Sequence, residues 1–169
     1  MTLSEAIQLD ERFDTFKIVS TRKITLPFKQ VEPTGRYPRE RDDCTVRSMS
    51  LATDWPYAET HELQRRAGRP NYKPWLFMQW MPKILHTPIN GVLFSEVFSA
   101  GECINGYWIP ASKKMSLNRF VKSHSKGSFI VCVHGHALAV IDGVIHDKIY
   151  TSPLTRVWKA YKVDKMEKT

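Results

Sequence analysis

The 169-residue sequence predicts an α+β domain, and three stretches carry that reading. HGHALAVIDGVIHD, from His134 to Asp147, sets Asp142-Gly143 between two β-branched apolar runs. Asp-Gly in that setting signals a two-residue hairpin, because both central residues of a type I′ turn need positive φ. DDCTVRSMSLATD, from Asp42 to Asp54, instead spaces its apolar residues for a helix. VWKAYKV, from Val157 to Val163, alternates as a strand.

In chain order, FKIVSTRKITL from Phe16 to Leu26 reads as a strand ended by Pro27, and Pro33 to Pro38 as turn chemistry crossing the surface. Asp42 or Asp43 is the expected N-cap of a helix on which Val46, Met49 and Ala52 or Thr53 form the buried stripe. Pro56, a favoured first position, opens a second helix through Leu63 to Ala67, and Gly68 ends it. Trp75 to Met78 with Trp80 and Met81 is apolar nearly all round, the pattern of a core segment. Gly91 to Phe94 and Gly106 to Ile109 are the extended pieces in a region of short strands and loops. Ser116 caps a helix whose apolar side is Leu117, Phe120 and Val121, closed by Gly127. Phe129 to Val133 is then a buried strand feeding the hairpin.

Length predicts a single domain over residues 1–169, with 1–40 an N-terminal strand and loop and 164–169 a frayed charged tail. No run approaches the roughly eighteen apolar residues of a membrane span, and MTLSEAIQLDERFD is too acidic and polar for a signal peptide. The expectation is a soluble, cytoplasmic protein without membrane partners. The three cysteines, Cys44, Cys103 and Cys132, form no CxxC pair, which predicts free thiols in a reducing compartment. A net charge of +8 favours acidic partners, nucleic acid or acidic protein, and is equally the pattern of a solvated basic surface.

The hairpin register carries the first chemical expectation. With Ile141 facing Val144, Leu138 faces Asp147 and His136 faces Ile149, so all four of His136, Leu138, Asp147 and Ile149 share a face. His136 and Asp147 are then diagonal neighbours, about 7–8 Å apart at the backbone, which an imidazole and a carboxylate can close. Asp142 lies about 20 Å along the strand from His136 and is excluded as its partner. A carboxylate beside a histidine fixes its tautomer and stabilises the imidazolium. Cys44, in the first turn of its helix, meets unpaired N–H groups and the helix dipole, a setting that favours the nucleophilic thiolate.

A cysteine at a helix start, then helices, then a histidine on one strand and an acid on the next: that order, with DDCTVRSMSLAT and GHALAVIDGVIHD, resembles the papain-like cysteine hydrolases, in particular small bacteriophage-encoded members. The resemblance covers about residues 40–163. It implies a helical part carrying the cysteine packed on an antiparallel sheet. It implies Cys44 as nucleophile, His136 as general base and then acid, and Asp147 as orienting carboxylate. The implied chemistry is cleavage of a peptide, isopeptide or related amide through a thioester, with no cofactor and no metal. For a phage-encoded chain, the implied setting is the host cytoplasm. The departure lies in the oxyanion hole. The family often places a glutamine a few residues before the cysteine, whereas Pro38 to Asp43 stand here and an ionised Asp42 or Asp43 cannot donate.

Two rival readings stand beside this one. Cys132, His134 and His136 alternate along a strand ahead of any bend at Gly135 and offer three zinc-type ligands, with no clear fourth. Alternatively the chain is a non-catalytic papain-like binding module that engages an acidic protein or nucleic acid through its basic surface.

Overall fold

The computed structural model describes residues 24–70, 77–105 and 107–167. The expected strand from Phe16 lies outside these residues up to Lys23, and its last members, Ile24 to Leu26, carry no strand. Trp75 and Leu76 also fall outside, as does the side chain of Cys103.

The architecture is α+β. β1 (Phe28–Gln30), which sequence patterning missed, precedes α1 (Cys44–Thr53), α2 (Tyr57–Arg66) and the short α3 (Phe77–Trp80), which continues into a 3-10 turn over Met81–Lys83. β2 (Val92–Ser99), β3 (Gly101–Ile104) and β4 (Tyr107–Pro110) follow, then α4 (Leu117–Ser123). β5 (Ser128–Val133), β6 (His136–Ile141), β7 (Val144–Asp147) and β8 (Val157–Lys165) complete the chain. Six strands form one sheet in the order β1-β7-β6-β5-β8-β2, antiparallel throughout except for the parallel β1–β7 pair, while β3 and β4 form a separate ribbon. β8 reaches Lys165, so the first two residues of the expected frayed tail belong to the sheet.

Both faces of the sheet are covered. On one, Met49 and Ala52 of α1 and Phe77 and Trp80 of α3 pack on Ile130, Cys132, Ala137 and Ala139. On the other, Leu117, Phe120 and Val121 of α4 pack on Phe129, Val131, Val133, Leu138 and Val140. Alternate residues of β5 therefore enter opposite cores, which is why FIVCV is apolar without interruption. Val46 and Met49 are fully buried on α1 as expected, and Ser116 Oγ accepts from the Arg119 N–H at the start of α4, but α4 ends at Ser123 with His124 as its C-cap, short of the expected Gly127.

The hairpin forms in the expected register. Ile141 opposes Val144, Val140 opposes Ile145 and Ala139 opposes His146, with Asp142 at φ 48° and Gly143 at φ 74°. Asp142 also accepts from the Gly127 N–H at 2.9 Å, tying the turn to the loop before β5. The ladder is shorter than anticipated. β7 ends at Asp147, so Ile149 is no strand residue facing His136 and stands 55% exposed.

The alternation assumed for Cys132, His134 and His136 does not occur. Gly135, at φ 64°, makes a turn with His134 that joins β5 to β6, and Val133 pairs with His136 across it. Cys132 is buried, His134 leaves the strand and packs edge-on against Trp158, and His136 begins the next strand. The described residues contain no cluster of three or more metal-ligating side chains.

Candidate active site

Cys44 is the first residue of α1, partly exposed, at the point where the chain turns from the loop after β1 into the helix. The preceding Asp43 occupies the N-cap position, but its side chain makes no capping hydrogen bond, contrary to expectation. Its carboxylate is claimed by stronger donors. Arg36 Nε reaches Oδ2 at 2.8 Å, Tyr57 Oη donates to Oδ2 at 2.7 Å, and Arg47 Nε reaches Oδ1 at 2.9 Å. These charge-assisted bonds hold the fully buried Asp43 carboxyl below its ordinary range, against the burial that would raise it. They also leave the first N–H groups of α1 without an aspartate cap, with the positive end of the helix beside Cys44.

His136 and Asp147 meet as the hairpin register requires, with Nε2 to Oδ2 at 2.5 Å. Deeper in the sheet, the same parity of β6 and β7 (Leu138, Val140 and Ile145) belongs to the core beneath α4. At the strand ends the pair instead engages α1. Asp147 Oδ1 accepts from Arg47 Nη1 at 2.9 Å and from the Lys148 N–H at 2.7 Å, and Asp147 is only 2% exposed.

Cys44 shares the cavity wall with the imidazole and is one of the groups that act on its proton equilibrium. With Nε2 committed to Asp147, Nδ1 is the nitrogen left for sulfur. Burial opposes the imidazolium, but the bond to Asp147 and the neighbouring Asp147 and Cys44 groups outweigh it and push His136 up to about 9. The structure thus brings the three residues Cys44, His136 and Asp147 to one place: His136 bonds Asp147, and Cys44 lines the same cavity as His136.

Cys44 and His136 open on a cavity of about 530 Å³. Phe77, Met78 and Gln79 of α3 form part of its lining, with Trp158 of β8 and Ile149 after β7. The apolar α3 run, read as core, thus divides its labour: Trp80 and Met81 are buried, Phe77 serves both core and cavity, and Met78 and Gln79 are partly exposed. Cys132 lines the same cavity, but burial pushes its thiol strongly up, which disfavours the nucleophilic form.

Sequence reasoning missed Arg47 and Gln79. Arg47 follows Asp43 by four residues on a helix, the spacing of an intrahelical ion pair, and that signal was readable. Its bond to Asp147, 100 residues away, was not. Gln79 lay within a stretch whose neighbours all read as core. No family model matches the chain, nor does any curated protein or solved structure compared with it.

Proposed function

We propose that the protein is a thiol-dependent hydrolase of papain-like architecture that cleaves a peptide, isopeptide or related amide bond with Cys44, His136 and Asp147. The observation that carries this reading is the imidazole of His136, bonded to a buried carboxylate and sharing the wall of one cavity with Cys44 at the start of α1. A cavity of that size holds a segment of a few residues. A catalytic thiol suits a reducing compartment such as a host cytoplasm. Among the described residues no helix is long and apolar enough to cross a membrane.

Cys44 sulfur, its proton lodged on His136, attacks the carbonyl carbon and places negative charge on the carbonyl oxygen. As the tetrahedral adduct collapses, His136 gives its proton to the leaving amine and a thioester remains on Cys44. Water then adds to the thioester with His136 taking its proton, and Cys44 leaves as thiolate to restore the starting pair. Asp147 keeps the imidazole in one tautomer and balances its charge throughout.

For the developing oxyanion this reading assigns the Cys44 N–H at the start of α1 as one donor and Gln79, which lines the same cavity, as the second. Glutamine thus supplies from α3 the donor that the segment before Cys44 lacks. Gln79→Ala is expected to lower kcat about 10²-fold with little change in KM, as loss of a transition-state donor does. Assay on a fluorogenic peptide-amide library checks it, and a fall in affinity at constant kcat would remove Gln79 from the oxyanion hole.

Thiol labelling tests the reading as a whole. Iodoacetamide at pH 6 is expected to modify Cys44 selectively, leaving Cys132 untouched until unfolding because it is buried and its thiol is pushed up. Cys44→Ala is expected to abolish both labelling and turnover. Labelling of Cys132 at the rate of Cys44, or turnover retained by Cys44→Ala, would return the chain to a non-catalytic binding role.

A further inference from the structure

We propose that Arg47 is a positioning residue of this site: by holding one oxygen of Asp147 it sets the plane of that carboxylate, and so determines which nitrogen of His136 faces Cys44. The proposal deepens the hydrolase reading and rests on it.

The two oxygens of Asp147 have separate partners. Oδ1 accepts from Arg47 Nη1 at 2.9 Å and from the Lys148 N–H at 2.7 Å, and Oδ2 alone is left for His136 Nε2 at 2.5 Å. Rotation of the carboxylate would break the Arg47 contact inside the protein, where Arg47 is 6% exposed and its charge has no water to turn to. Arg47 is itself anchored, since its Nε meets Asp43 Oδ1 at 2.9 Å. Asp43 is held in turn by Arg36 and Tyr57. Charge alternates link by link from His136 through Asp147, Arg47 and Asp43 to Arg36.

Only a guanidinium suits the middle of this chain. Its planar fork offers Nε and Nη1 in fixed directions, one to each carboxylate, whereas an ammonium is a point charge without a preferred plane. Lysine at position 47 would keep the charge and lose the geometry.

The charged and titratable side chains around His136 are Asp147 from β7, Cys44 and Arg47 from α1, and, along the cavity wall, Arg41, Asp42, Cys132 and Lys148. Within this set the positioning account and a purely electrostatic one predict opposite signs. Were Arg47 only a nearby positive charge, its removal would strengthen the pull of Asp147 on a proton, and His136 would titrate higher. If Arg47 sets the carboxylate plane, its removal loosens the Asp147–His136 bond and His136 titrates lower.

Titration of the histidine resonances by NMR in the full chain decides between them, the His136 signal being the one absent from His136→Gln. In Arg47→Met and in Arg47→Lys, the His136 midpoint is expected to fall from about 9 by about one pH unit or more. Alkylation of Cys44 at pH 6 is expected to slow roughly tenfold alongside it. Tyr57→Phe removes a donor from Asp43 without touching Arg47, so it is expected to lower stability and leave the His136 titration in place. Should Arg47→Met not fold, Arg47→Lys carries the test.

An unchanged or raised His136 midpoint in Arg47→Lys, or an equal fall in Tyr57→Phe, overturns the proposal. Because the titration needs no substrate, a chain without hydrolase activity would sink the functional reading while the His136 midpoints still decide the role of Arg47.

Discussion

Asp147→Asn is expected to lower turnover of amide substrates by about 10³–10⁴-fold. Asparagine keeps the shape of the side chain but removes the charge that balances the His136 imidazolium, and an amide nitrogen facing Nε2 would favour the wrong tautomer. The bond from Asp147 to the buried Arg47 adds a stability cost of about 1–3 kcal/mol, visible as a lower melting temperature. Asp142→Asn is the matched control. Asparagine tolerates the φ of 48° at that turn and retains the oxygen that accepts from Gly127, so turnover should stay close to that of the parent. Activity lost in Asp142→Asn but kept in Asp147→Asn would dismantle the triad.

Asp43→Ala is expected to cost about 3–5 kcal/mol of folding stability, enough to unfold many domains of this size. The change strips a shared anion from Arg36 and Arg47 and a hydrogen-bond acceptor from the Tyr57 hydroxyl, all of them buried or nearly so. The lost energy is mostly the cost of leaving cations in the interior without a counter-charge. Urea unfolding reads it as a lower midpoint, and a change below about 1 kcal/mol would mean the network is a solvated surface feature.

The same carboxylate gives stability a defined dependence on acid. Its folded pKa lies below its unfolded one, so its contribution is fully present above the unfolded value and fades as pH falls through the folded value. Asp43→Ala should therefore flatten the acid side of the stability curve and leave the neutral side parallel to that of the parent.

What the sequence made legible was local. Two φ-positive residues between β-branched runs determined a register, and the register alone put Asp147 rather than Asp142 beside His136. Helical spacing likewise located the face of α1 that carries Val46 and Met49 into the core. Long-range chemistry stayed hidden: the spacing of Arg47 from Asp43 was readable, but nothing near Asp43 announces that Arg36 and Tyr57 will join it and cancel its capping role. β1 was missed for a related reason. Three residues, Phe28 to Gln30, have too little pattern to mark a strand, and they become one by pairing with β7 in a distant part of the chain. The turn at Gly135 was misjudged because histidine and glycine between apolar strands read equally well as a continuous strand.

The separation of Arg47 from Asp147 by 100 residues sets an order of events during synthesis. The ribosome delivers Cys44 and Arg47 early and His136 and Asp147 late, and at about 5–20 residues per second that interval lasts on the order of 5–20 s. Throughout it Cys44 has neither His136 nor Asp147 near it, because both have yet to be made. β8, the last strand, lies between β5 and β2 within the sheet and must insert before the sheet is continuous. The site is thus assembled only after most of the chain has been made, and the sheet becomes continuous only once β8 has joined β5 and β2.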